Sequence, residues 1–481
     1  MTRPLVVVAN RLPVSRATDP ADGRLTWQAS AGGLVTALRP VVDEVGGAWI
    51  GYDDDAAGVP DRVDGLNVDL HAVGLSRAQV RGYYHGFSNR TVWPLFHDLV
   101  ADPVVDRRWW HTYQDVNRAF AEVTAGALER ARQSEDHDEQ PLVWIQDYHL
   151  MLVPEMLRNM ASTADTPVGF FLHIPFPPPE LVARLPWRDQ LLQGMLAADA
   201  VGFHTVRYRD NFVRAVQQLF PGVTTLGDSI ALPDGRHVRC VAHPISIDAD
   251  AFAELATSAA TEAELADLRE QFAGRRVLLG VDRLDYTKGI RHRLQAIELL
   301  LEREPDLRGK VAFVQIAVPS RDDVKEYRDL RTEVETEVGR INGRFTEPGH
   351  DVPVHYFYRG VSREQLAAYY RLADVMCVTP LKDGMNLVAK EFVTCQAAGD
   401  EAGALLLSEF AGAILEFGEQ AVRCNPFDVE GLSYLLASAL ELPETERRRR
   451  IQAMAEAVRE RDVYRWVADE LAAIERGHGG I

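Results

Sequence analysis

Arg283 and Lys288 stand five residues apart in the stretch GVDRLDYTKG, directly after the apolar run VLLGV. A guanidinium offers a rigid fork of donors and an ammonium a mobile point charge, so the two together suit a diphosphate. Taken in isolation they are two cations on a solvated loop, the ordinary outcome for charged side chains. The context counts against that reading, because the chain carries a formal charge of -19 and only five lysines among its 52 basic residues.

Polar residues recur after other apolar runs. VAFVQIAV leads into PSRDD with Arg321, and VMCVT leads into PLKDGMNLVAKE with Asp383, Leu387, Val388 and Glu391. LVVVA is followed by Asn10 and Arg11, LVWIQ by Asp147, and VGFFLH ends on His173 before the proline-locked loop IPFPPPE. In SAGGLVTAL, Gly32 and Gly33 open a helix whose free backbone N–H groups form a ready anion site. Each feature has a plain structural alternative. The glycine pair reads as a turn, Asp147 as a helix cap, and His173 as a core histidine bonded to backbone. Their repetition at successive run ends is hard to explain as surface decoration.

Something must hold these residues together. The apolar runs at 5–9, 142–146, 168–173, 201–204, 277–281, 311–318, 375–379 and 404–408 read as buried parallel strands. Helical periodicity fills 206–219, 290–304, 321–339 and 429–441 between them. Alternation of this kind implies right-handed βαβ units, hence an α/β fold with two Rossmann-like, doubly wound parallel-sheet domains facing a cleft. A weak seam at HPISIDADAF predicts one domain over 1–245 and another over 246–460, and RDVYRWVADELAAI predicts a final helix within 461–481. Ligands of such folds bind beyond the carboxyl ends of the strands, where the polar residues lie.

Composition removes other classes. At 46% hydrophobic and 26% charged over 481 residues, the chain is globular. Its acidity argues against a nucleic-acid surface. Neither GxGxxG nor GxxxxGK[ST] occurs, which disfavours a nicotinamide or P-loop site. Cys240, Cys377, Cys395 and Cys424 match no disulfide or zinc spacing and read as reduced thiols. No apolar run is long enough for a signal core or a membrane span, so a cytoplasmic location is expected.

At this point the residues carry a resemblance. NRLPV, SAGGLV, YYHGFSNRTVWPLFH, WIQDYHL, GFFLHIPFP, GVDRLDYTKG, PSRDDV, GRING and TPLKDGMNLVAKEFV resemble, in order and spacing, the trehalose-6-phosphate synthases, retaining glycosyltransferases of the GT-B architecture. The resemblance runs from about residue 5 to residue 470. It implies glucose transfer from a nucleotide-glucose to glucose 6-phosphate, giving an α,α-1,1 link with no protein nucleophile, no cofactor and no metal. On this basis Gly32, Gly33, Arg283, Lys288, Asp383, Leu387, Val388 and Glu391 hold the donor. Arg11, Tyr84, Trp93, Asp147 and Arg321 hold the acceptor, with Arg11 and Arg321 on its phosphate. Arg283, Lys288, His173 and Asp383 are the expected catalytic group.

Lys382 replaces the usual Arg and Phe392 the usual Tyr, and neither change removes a named contact. The base-reading region has no clear signature, which leaves UDP-, GDP- and ADP-glucose open. The partners expected are these two substrates and further copies of the chain, with no membrane. The 1–245 domain is expected to bind the acceptor and the 246–460 domain the nucleotide sugar, while the final helix is expected to cross back to the first. Two alternatives remain: a related transferase with another sugar- or polyol-phosphate acceptor, and a non-catalytic regulatory relative.

Overall fold

The computed structural model describes residues 3–18, 25–29, 35, 38, 39, 42, 46–54, 56–63, 66–99, 103–133, 139–321 and 324–479. The chain divides into two compact units, Met1–Pro244 with Val463–Ile481, and Ile245–Asp462.

In the first unit the described strands form a nine-stranded sheet in the order Asp69–Gly74, Gly47–Asp53, Leu5–Arg11, Leu142–Gln146, Val168–Leu172, Ala200–Phe203, His237–Ala242, Ser229–Ala231, Thr224–Leu226. The first seven run parallel, and the last two fold back antiparallel. Leu142–Gln146 and Val168–Leu172 are buried along their whole length, as unbroken apolar runs in a two-sided parallel sheet must be.

The second unit is built on a six-stranded parallel sheet in the order Val354–Phe357, Val311–Val318, Arg276–Arg283, Val375–Val378, Ala404–Ser408, Val422–Cys424. Its core joins Leu278, Phe313 and Leu406 from the sheet to Leu294, Ile297, Val334 and Leu436 from the covering helices. All four cysteines are free and buried.

The structure adds strands that the apolar runs do not announce, among them Gly47–Asp53, Asp69–Gly74 and His237–Ala242. Gly47–Asp53 pairs with Leu5–Arg11 across a register shift between Val8 and Arg11. At that shift the backbones come so close that a Cβ on Gly51 would strike Arg11 and the Leu12 amide. Such an irregularity re-aims a strand end, and the residue it turns out is Arg11.

The helix expected at 321–339 begins later, spanning Lys325–Phe345. Arg321 has φ 55°, which removes it from any right-handed helix, and its side chain is engaged elsewhere. The final helix, Val463–His478, lies on strands of the first unit. Trp466 packs on Trp144 and Phe171, with ring centres 4.9 and 5.1 Å apart.

Candidate active site

In the first unit the sequence-selected residues form one connected cluster at the carboxyl ends of the strands. The Arg11 guanidinium lies 4.6 Å from the Tyr52 ring centre and 5.8 Å from that of Tyr84. Arg11 and Tyr52 also line a cavity of about 410 Å³ with Ser15, Arg16 and Asp53. Tyr84 belongs to a wide-turned helix, Arg81–Val92, of the π type that concentrates at functional sites. Its ring stacks on His149 at 5.7 Å, and His149 packs on Tyr148 at 3.9 Å. Trp93 lies against Tyr148 at 5.6 Å and is only 4% exposed, so it backs this cluster from within.

Asp147 joins the cluster to His173. Its backbone sits at φ 75° and ψ 168°, a conformation that non-glycine residues rarely adopt and that costs on the order of 1–3 kcal/mol. The helix-cap alternative does not hold, because the side chain makes no cap hydrogen bond to the turn that follows. Instead Oδ1 accepts from the His173 backbone N–H at 3.1 Å, and Oδ2 lies 3.9 Å from His149 Nδ1. The His173 ring bonds a side chain rather than backbone, with Nε2 2.8 Å from Gln146 Oε1. Burial, helped by nearby His204, holds this imidazole well below its usual pKa, so it is neutral at pH 7. Gly32 and Gly33 lie outside the described residues.

In the second unit Arg283 is exposed at the end of its strand, and Lys288 Nζ reaches Asp383 Oδ2 at 2.6 Å. Asp285 stands between the two cations in sequence and is fully buried. Its Oδ1 accepts from the Thr287 N–H and hydroxyl at 2.9 and 2.8 Å, and its Oδ2 from Tyr327 at 2.9 Å and Arg321 Nη1 at 3.1 Å. Burial pushes this carboxyl up, but Arg321, Arg283, the Thr287 amide and Lys288 outweigh it and bring it to about 2. Arg321 is thus tied to the Arg283–Lys288 loop, with its side chain 3% exposed.

Behind the loop lies a second buried charge. Arg293 bonds Asp282 and Gln315 at 2.8 Å each and Thr379 at 3.0 Å. Gly289 turns the chain from the loop into the helix Ile290–Arg303 at φ 66°, where a Cβ would also collide with the Thr379 carbonyl.

The helix Leu387–Ala397 starts at Asn386, whose Oδ1 accepts from the Ala389 N–H at 3.1 Å and whose Nδ2 donates to Asp383 Oδ2 at 3.1 Å. Leu387 and Val388 open its first turn, where backbone N–H groups have no partner within the helix. One turn on, Glu391 Oε2 accepts from the Tyr370 hydroxyl at 2.7 Å. Burial raises the Glu391 pKa, and the Tyr370 bond offsets this only in part. Gln146, Asp285, Arg293 and Tyr370 escaped the sequence analysis. Only Asp285, lodged within LDYTKG, carried a signal that could have found it.

No group of three or more His, Cys, Asp or Glu side chains suited to a metal ion occurs among the described residues. Nor does any described helix have the length and apolarity to cross a membrane.

Two largely parallel α/β sheets, the second with Arg283 and Lys288 following one strand and a helix start beyond them, match the Rossmann-type architecture of the GT-B class. The model for glycosyltransferase family 20 matches residues 3–476. The trehalose-6-phosphate synthase of Mycobacterium sp. strain KMS is 44% identical over 99% of this chain and 96% of that protein. The crystal structure of the UDP-forming α,α-trehalose-phosphate synthase of Burkholderia vietnamiensis aligns with a TM-score of 0.86 at 37% identity, covering 99% of this chain and 98% of that one. The corresponding synthase of Burkholderia xenovorans, in complex with glucose-6-phosphate, aligns with a TM-score of 0.87 at 35% identity, covering 98% of this chain and 100% of that one. The chain belongs to glycosyltransferase family 20, the family of these trehalose-6-phosphate synthases, and is an enzyme of the glycosyltransferase class.

Proposed function

We propose that this chain transfers glucose from UDP-glucose to the anomeric hydroxyl of glucose 6-phosphate, forming α,α-trehalose 6-phosphate with retention and without a metal. The observation that carries the reading is the loop Arg283–Lys288, where two cations and the buried Asp285 precede a helix start at the end of a parallel strand. The two Burkholderia relatives are UDP-forming, which supports uridine over the other bases.

The second unit takes the nucleotide sugar. Arg283 and Lys288 meet the diphosphate, and the glycine pair Gly32 and Gly33 is read as a donor-binding loop. Asp383 with the amides of Leu387 and Val388 meets the glucose, and Glu391 accepts from the ribose hydroxyls. In the first unit Arg11, Tyr84, Trp93 and Asp147 form the acceptor site, to which Arg321 adds a second phosphate contact. His173 lies beside the donor glucose.

Chemically, the bond from the anomeric carbon to the diphosphate oxygen breaks with its electron pair leaving on that oxygen. The acceptor oxygen forms the new bond on the same face, and its proton passes to the leaving phosphate oxygen. The protein then has two tasks, to hold both sugars in contact and to neutralise the growing diphosphate charge. Positive side chains can do the second in place of a divalent ion.

The four buried free thiols favour a reducing compartment, in keeping with a cytoplasmic location. Incubation with UDP-, GDP- or ADP-glucose and glucose 6-phosphate, followed by identification of the product, tests the whole reading. Formation of a disaccharide phosphate is the expected result, fastest with UDP-glucose. Absence of product with all three donors would leave the regulatory alternative standing.

A further inference from the structure

Gln146 ends the strand Leu142–Gln146 with its side chain fully buried, and nothing in the proposed chemistry uses it. Its Oε1 lies 2.8 Å from His173 Nε2. A carbonyl oxygen can only accept, so Nε2 carries the hydrogen and donates, leaving Nδ1 as the ring's acceptor. The other end of the same amide, Nε2, is buried with no hydrogen-bond partner among the described residues. An unmet buried donor costs roughly 1–3 kcal/mol, so this side chain is poorly explained as a stabilising element.

The ring it holds is otherwise walled by aromatic groups. Phe171, His204 and Trp466 approach His173 with ring centres at 4.7, 5.4 and 5.9 Å. The titratable groups around it come from four elements. Asp147 follows Gln146 and accepts from the His173 backbone N–H. His204 follows the strand Ala200–Phe203. Glu470, on the helix Val463–His478, lies over Gly202 and bonds His243 Nδ1 at 2.7 Å, with His243 following the strand His237–Ala242. Among the described residues the His173 ring makes its hydrogen bond to Gln146, and that bond selects the tautomer.

We propose that Gln146 is a positioning residue that holds His173 as its Nε2–H tautomer, so that Nδ1 accepts a hydrogen bond from a hydroxyl of the donor sugar. The inference rests on the proposed function, in which His173 lies beside that sugar. The neutral state of the ring is consistent with it, because an imidazolium has no acceptor nitrogen.

The test uses the full chain with UDP-glucose and glucose 6-phosphate. Gln146→Glu keeps the size of the side chain and places a carboxylate against the ring, which raises a histidine pKa by about 1–3 units. The acid limb of its kcat profile moves up by about one pH unit or more relative to the unmodified chain. Gln146→Leu, with no acceptor, lowers kcat about tenfold while the KM for glucose 6-phosphate stays within about twofold, on the scale of one lost orienting hydrogen bond. An acid limb in Gln146→Glu that coincides with that of the unmodified chain overturns the proposal. Should the variants fail to fold, 15N-histidine spectra of the unmodified chain, assigned by difference with His173→Asn, report the tautomer directly, and an Nδ1–H form overturns it equally. If the unmodified chain makes no disaccharide phosphate, the parent reading falls and this inference with it. If it makes product while the limb stays fixed, only the role of Gln146 is lost.

Discussion

Lys288 Nζ is held 2.6 Å from Asp383 Oδ2, and the two side chains are 12% and 14% exposed. An ammonium so far removed from water needs a counter-charge, and the strand end after Val375–Val378 supplies it. Asn386 donates to the same carboxylate oxygen while capping the next helix. A diphosphate arriving at this loop would meet a lysine already desolvated and aimed.

Arg283→Ala and Lys288→Ala should each fold and lose roughly 100-fold to 1000-fold in kcat, about 3–4 kcal/mol of barrier, the usual cost of removing one preorganised donor to developing charge. Steady-state rates of nucleotide release, with circular dichroism as a folding control, decide this. Near-full turnover in either variant would remove the pair from the mechanism.

Exhaustive treatment with EDTA should leave the rate within about twofold, because Arg283 and Lys288 supply the positive charge that a bound ion would otherwise bring. Loss of activity in EDTA that manganese restores would contradict the scheme.

Asp285 should govern acid stability. Its folded pKa, about 2, lies below the ordinary 3.8. The carboxylate therefore contributes about 2 kcal/mol that is fully present above pH 4 and lost as pH falls toward 2. Asp285→Asn also removes the carboxylate charge that faces the buried Arg321, which costs about 3–5 kcal/mol near neutrality. Urea midpoints measured at pH 7 and pH 3 should show the gap between variant and parent narrowing at the lower pH. A gap that is the same at both would refute the assignment.

Tyr370→Phe removes the hydroxyl that orients Glu391 without opening a cavity. The KM for the nucleotide sugar should rise about tenfold, the scale of one hydrogen bond to a charged group, with kcat little changed. An unaltered KM would mean that Glu391 is positioned by something else, or that it does not touch the ribose.

Much of this architecture was legible in the chain. LVWIQ and VGFFLH read as buried strands because unbroken apolar runs of that length fit a parallel sheet covered on both faces, and the described strands at Leu142–Gln146 and Val168–Leu172 are buried throughout. Gly47–Asp53 was not legible, since it is a strand by pairing with Leu5–Arg11 on one edge and Asp69–Gly74 on the other, partners distant in sequence. Periodicity sets the start of the helix after PSRDD too early because it carries no information about Arg321, which has a positive φ and whose side chain bonds a carboxylate 36 residues away.

The order of residue types along the chain determined that cations and carboxylates would stand at the ends of parallel strands, because strand periodicity and strand-end position are local properties. Tertiary structure alone decided which of them meet: Lys288 with Asp383, Asp285 with Arg321, Gln146 with His173. Partner choice depends on which strands lie side by side in the sheet and which rotamers burial leaves open, and neither is written into any single stretch of sequence.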